Sequence, residues 1–167
     1  TTAAAGGAAA LMPQTIFSSQ NKKNLRIGFI GTGLRGQWML WLATKYPDVE
    51  IPAICDIDDG MISAALKIIK DSGRKEPKVY KKNDEDFRNL VKNEKLDGVY
   101  IATPWEWHHP MAIAAMKAGI HVGTEVPAAL TVNECWDLVN VSEETEKFCM
   151  IMENVCYRRD VMAVLNM

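Results

Sequence analysis

Apolar residues first gather in the run "LRIGFI" at 25–30, which is followed by glycine. A short apolar run closed by glycine reads as a strand buried on both faces. At 34–45 the period lengthens, with Leu34, Trp38, Trp41 and Leu42 at helical spacing. A second strand is expected at 50–56. A helix follows at 61–70, carried by Met61, Ala64, Ala65, Ile68 and Ile69 and stopped by Gly73. After a brief strand at 78–80, "NDEDFRNLVKN" reads as a helix capped by Asn83, with acids in the first turn where the helix dipole favours them. A strand at 98–102 leads to a helix at 110–118 that ends at Gly119. A strand at 120–124 then precedes a helix opened by the capping-box pair Thr131 and Glu134, which extends to 147. The last elements are a strand at 148–152 and a helix from 160 onward. Strand and helix in alternation predict an α/β fold, a doubly wound parallel sheet with helices on both faces.

The first strand–helix junction carries Gly31, Gly33 and Gly36 in G-x-G-x-x-G spacing. Between a strand and a helix, that spacing has a mechanism. The first glycine allows the tight turn, and the second lets the backbone approach a pyrophosphate. The third lets helix and strand pack closely, and the helix N-terminus faces the negative charge. Asp56 closes "IPAICD" about 20 residues further on, where a carboxylate accepts from ribose hydroxyls and repels a 2′-phosphate. No Arg or Lys follows it in "DIDDG", so NAD is expected over NADP. Arg35, inside the loop, either reaches a phosphate or is a solvated helix-start residue.

In such a sheet, ligands gather at the carboxyl ends of the strands. The fourth strand delivers Trp105, Glu106, Trp107, His108 and His109 to that edge, after Pro104 halts it. Singly, each reads as part of a packed aromatic turn. Jointly, above a dinucleotide site, they read as one wall of it. The fifth strand delivers Glu125, with Pro127 setting the exit of the chain. At the sixth, Asn154 is either a helix cap or a site amide, and Tyr157 is a substrate-facing candidate.

Composition narrows the partners. The chain has 167 residues, 48% of them hydrophobic, and a net charge of −2, with charges interspersed. No basic block suggests nucleic acid, and no run approaches the ~20 apolar residues of a membrane span. Cys55, Cys135, Cys149 and Cys156 sit singly in apolar segments without metal-type spacing and read as buried free thiols. No metal is expected. The opening "TTAAAGGAAALMPQT" fits the end of a signal-peptide core with its small-residue cleavage zone, or else an Ala/Gly leader or cloning remnant. "RRDVMAVLNM" ends in helical periodicity without a stop signal, which reads as a truncated chain. The expected domains are a leader and linker at 1–24, a cofactor domain at 25–155, and the start of a substrate domain at 156–167.

The glycine loop, Asp56, "ATPWEWHHPMAIAAMKAGIHVGTEVP" and the "MEN" strand end together resemble the Gfo/Idh/MocA oxidoreductases, with their N-terminal Rossmann domain and C-terminal α/β substrate domain. Those enzymes carry Glu-Lys-Pro after the fifth strand, and the lysine takes part in hydride transfer. Here the tripeptide is Glu125-Val126-Pro127. With "WEWHH", "EVPAALTVNECWDLV" and "MENVCYRRDVMAVLNM", that departure is more similar to glycoside hydrolase family 109.

That resemblance implies an NAD-dependent α-N-acetylgalactosaminidase-like enzyme. It implies cofactor contacts at Leu34, Arg35, Asp56, Trp105, Glu106, Trp107, His108, Glu125, Val126 and Asn154. It also implies export, to a bacterial periplasm or cell surface, and a homo-oligomer formed through the C-terminal domain. The implied reaction oxidises the sugar at C3, which acidifies the C2 proton. Elimination, water addition and re-reduction complete a hydrolysis with no net redox change, and no flanking carboxylate pair is needed. The base and most substrate contacts of that family lie in its C-terminal domain. The alternative is an NAD-dependent sugar oxidoreductase, and a third possibility is a non-catalytic nucleotide sensor.

Overall fold

The computed structural model describes residues 24–167, so the reading of 1–23 as a leader lies outside the described residues. Strand β1 (Leu25–Ile30) occupies the centre of a wholly parallel sheet. On one side of it lie β3 (Ala53–Cys55) and β4 (Lys78–Tyr80). On the other lie β5 (Gly98–Ile101), β6 (His121–Thr124) and β7 (Cys149–Ile151). The chain moves outward from β1 in one direction, then returns and moves outward in the other. This reversal is the doubly wound Rossmann arrangement, and it opens a crevice at the carboxyl ends of β1 and β5.

Side chains alternate across the sheet and build a core on each face. Phe29, Ile54 and Tyr100 point towards Leu40 of helix α1 (Leu34–Ala43) and towards Ile62, Ala65 and Ile69 of α2 (Asp59–Asp71). Their neighbours Ile30, Cys55, Val99 and Ile101 point the other way. They meet α3 (Phe87–Asn93) through Phe87 and Leu90, α4 (Trp105–Lys117) through Met111 and Met116, and α5 (Val132–Thr145) through Leu138. Burial on both faces explains why these strands read as continuous apolar runs. A single-turn 3-10 helix (Val155–Tyr157) and α6 (Arg159–Leu165) close the described chain. No helix among the described residues is long and apolar enough to cross a membrane.

Several elements differ from the sequence expectation. The strand expected at 50–56 is split into β2 (Val49–Glu50) and β3, because Pro52 has no N–H for a ladder. The helix expected from Asn83 begins at Phe87. Asn83 instead closes a turn, accepting from the Glu85 amide at 3.1 Å, while Asp86 accepts from the Lys82 amide at 2.9 Å.

Helix α4 starts five residues before Pro110, at Trp105, so "WEWHH" is helix rather than turn. Proline is favoured in a first turn, which is why Pro110 read as a start. Its missing N–H falls opposite the carbonyl of exposed Glu106, where water can substitute. Trp38 and Trp41 face outward, stacked on each other at 5.2 Å with Lys45 over Trp41, while Gly36 and Leu40 form the buried side of α1. Of the cysteines, Cys55 is buried, Cys149 half-buried, and Cys135 and Cys156 are exposed, so burial of all four is not observed.

Candidate cofactor site

The glycine loop crosses from β1 to α1 at the crevice. Gly31 has φ 87°, and a Cβ on it would lie 2.4 Å from the Ala102 carbonyl oxygen. A Cβ on Gly36 would lie 2.1 Å from the Gly31 oxygen, so these two glycines are required by the packing of loop, strand and helix. Gly33 is different: a Cβ there would meet nothing within 4 Å. The open side of the loop therefore faces free space rather than protein. Helix α1 begins at that point with no side-chain cap and no acid in its first turn. Its first amides and the positive end of its dipole are thus directed at a place where an anion fits.

Asp56 stands across the loop. Its Oδ2 accepts from the Thr32 amide at 2.5 Å and the Thr32 hydroxyl at 2.9 Å, and its Oδ1 accepts from the Asp58 amide at 3.0 Å. Thr32, fully buried, thereby ties the acid to the loop. Sequence reading did not single out Thr32, and nothing local in the sequence marks a contact between residues so far apart. A cleft of about 290 Å³ joins Gly31, Gly33 and Asp56 to Asn83, Asp84 and Trp107. Burial, then Asp86 and Asp56, push the Cys55 thiol in this cleft up to about 12, so it is a neutral wall and not a nucleophile.

Beyond the loop, Arg35 donates from Nε to Glu125 Oε1 at 2.7 Å, joining the start of α1 to the end of β6. Tyr100 donates its hydroxyl to the same oxygen. The bond to Glu125 raises the Arg35 pKa further. Burial, and secondarily Glu125, hold the Tyr100 phenol well above its ordinary value, so it stays a donor. Arg35 also borders a second cleft of about 320 Å³, which it shares with Asn154 and Tyr157. The Asn154 side chain makes no cap bond to the turn it precedes.

The aromatic stretch is distributed rather than gathered into one wall. Trp107 lines the cleft with Pro104 and packs edge-on against Phe87 at 6.1 Å, whereas Trp105 and Glu106 lie exposed on the first turn of α4. His108 is 1% exposed. Its Nδ1 lies 2.7 Å from the Pro127 carbonyl oxygen and its Nε2 2.8 Å from that of Thr103, so the ring ties the ends of β5 and β6 together. Leu34 is exposed at the start of α1. Val126 is 44% exposed and faces a separate apolar groove bordered by Cys135, Leu138 and Ile151.

A larger depression of about 710 Å³ lies at the amino ends of the strands. Four of its charges are paired, Arg26 with Glu50 at 3.0 Å and Lys78 with Glu94 at 3.1 Å, and Arg74 donates to backbone carbonyls. It lies at the wrong end of the sheet for a dinucleotide.

Residues 25–153 match the Gfo/Idh/MocA family, described as an oxidoreductase family with an NAD-binding Rossmann fold. The chain belongs to that family. Similar curated relatives include a glycosyl hydrolase family 109 protein of Parabacteroides distasonis, 56% identical over 144 residues, covering 86% of this chain and 31% of that protein. An α-N-acetylgalactosaminidase of Tannerella forsythia is 55% identical over the same length, covering 86% of this chain and 31% of its own. The chain thus spans about a third of the length of these relatives.

Among similar solved structures, myo-inositol 2-dehydrogenase of Lactobacillus plantarum superposes with a TM-score of 0.72 at 25% identity, covering 86% of this chain and 40% of that one. Scyllo-inositol dehydrogenase of Lactobacillus casei, which contains NAD(H) and scyllo-inositol, gives 0.73 at 20% identity over 86% and 40%. That second likeness shows the fold. The open cradle at Gly33, the uncapped helix start and the acid after β3 fit the NAD of this Gfo/Idh/MocA domain.

Proposed function

We propose that this chain is the NAD-holding domain of a glycosidase that removes terminal α-N-acetylgalactosamine, or a related sugar, by transient oxidation. The observation that carries the reading is the 56% and 55% identity to the two longer relatives named above. In this reading residues 25–155 hold the cofactor, and 156–167 lead towards a substrate-binding part. The Gly33 cradle and the first amides of α1, including those of Leu34 and Arg35, hold the diphosphate. Asp56 accepts from the adenosine ribose, and Trp107 flanks the base side. Trp105, Glu106, Glu125 and Asn154 border the nicotinamide end, with His108 acting from beneath, while the Val126 side chain turns to the separate groove beside α5. Tyr157 faces the sugar. Bound there, NAD would supply reversible hydride acceptance, so that the aglycone could depart by elimination, water add in its place and the hydride return, with no net redox change.

The second reading is an NAD-dependent sugar oxidoreductase, favoured by the inositol dehydrogenase with the same fold at 25% identity. Against it, Val126 has no proton to give or take beside Glu125. The two readings separate when the native-length protein is incubated with p-nitrophenyl α-N-acetylgalactosaminide and no added NAD. The glycosidase reading expects nitrophenol without net NADH. NADH accumulating from free sugars, with no nitrophenol released even after NAD is added, would establish the oxidoreductase instead.

A further inference from the structure

Tyr100 belongs to none of the residues that the glycine motif or the strand ends single out. It sits inside β5, is 5% exposed, and packs its ring against Phe29 at a centroid distance of 5.7 Å. In a buried parallel strand such a position ordinarily holds an aliphatic residue, because a phenol needs a partner. Its cross-strand neighbour in β6 is Gly123, where a Cβ would sit 3.8 Å from the Tyr100 ring. The ring thus borders β6, and its hydroxyl reaches Glu125, two residues beyond Gly123.

The Glu125 side chain is 16% exposed and accepts from both Tyr100 and Arg35 on Oε1. Both donors fall on one oxygen of a carboxylate that directly follows β6, and among the described residues Oε2 makes no hydrogen bond.

We infer that Tyr100 is a positioning residue for the cofactor: with Arg35 it pins one oxygen of Glu125, so that the other is presented as a fixed anionic acceptor to a donor group of the dinucleotide. This rests on the NAD reading of the crevice. A carboxylate anchored by a single flexible arginine, itself 39% exposed, would lose orientation on binding. The buried phenol removes that freedom in advance, which is how preorganisation raises affinity.

The test is a double-mutant cycle on NAD affinity, measured by calorimetric titration of the chain with Tyr100→Phe, Glu125→Gln and both, and with cooperative unfolding followed in parallel. Tyr100→Phe is expected to weaken NAD about tenfold. In the Glu125→Gln background the same change is expected to cost nothing further, since Tyr100 acts through Glu125. A purely structural tyrosine would lower the unfolding midpoint equally in both backgrounds and leave NAD affinity alone. Unchanged affinity in Tyr100→Phe, or an equal loss in both backgrounds, overturns the inference. Should Tyr100→Phe not fold, Glu125→Gln alone decides, because wild-type affinity in that variant also overturns it. If the unaltered chain takes up no NAD, the reading of the crevice itself fails, and this inference with it.

Discussion

Gly33 and Gly36 answer to different demands, although one motif contains both. Gly36 has no room for a Cβ, and Gly36→Ala is expected to lower stability by about 1–3 kcal/mol in chemical denaturation through overpacking against the loop. Gly33 faces open space with an ordinary negative φ, so Gly33→Val is expected to keep the unfolding midpoint and lose NAD binding. Loss of fold in that variant would show that Gly33 serves packing instead. Asp56→Ala is expected to weaken NAD by about 1–3 kcal/mol, read by titration, because it removes charge-assisted acceptors. The glycines and Asp56 were legible because their spacing is local and their chemistry is tied to it. The bonds Thr32–Asp56 and Tyr100–Glu125 join residues 24 and 25 positions apart, and no local pattern encodes them. His108 read as a ring facing the crevice, and only the fold places the carbonyls of Thr103 and Pro127 on either side of it.

At the scale of elements, the sequence pattern located six strands and the helices between them, with β2 and β3 read as one strand, while the errors cluster at boundaries where one residue type has two uses. Asparagine caps helices and closes turns alike, and at 83 it does the second. Asp86 is the residue that organises the start of α3, accepting from Lys82 and from the Asn89 side chain at 2.7 Å. Those bonds, with Asn89 the larger influence, hold its carboxyl below the usual carboxylate range. A depressed folded pKa means the stabilisation is present above the unfolded value, ~3.9, and is lost as pH falls through the folded one. Denaturation titrations from about pH 6 to about pH 3 are expected to show stability falling, with a shallower fall in Asp86→Asn. In α5 the capping box is complete, Thr131 Oγ1 accepting from Glu134 and the Glu134 carboxylate accepting from Thr131. Thr131→Ala is expected to cost about 1 kcal/mol in the same assay.

For the whole molecule, alternating strands and helices predicted the doubly wound sheet, and the order β4-β3-β1-β5-β6-β7 is that sheet. Which strand ends face one another could not be read from the chain, since helices separate strands that the fold makes neighbours. The consequence at this scale is a cofactor cradle at the centre, with the joined Arg35, Glu125 and Tyr100 on one flank and Asp56 and Thr32 on the other. The central claim is that this crevice holds NAD. Calorimetric titration of the chain with NAD, and separately with NADP, addresses it most directly. One NAD per chain is expected, bound more tightly than NADP because Asp56 and Asp84 border the cleft where a 2′-phosphate would lie. Absence of NAD uptake, or a preference for NADP, would contradict it.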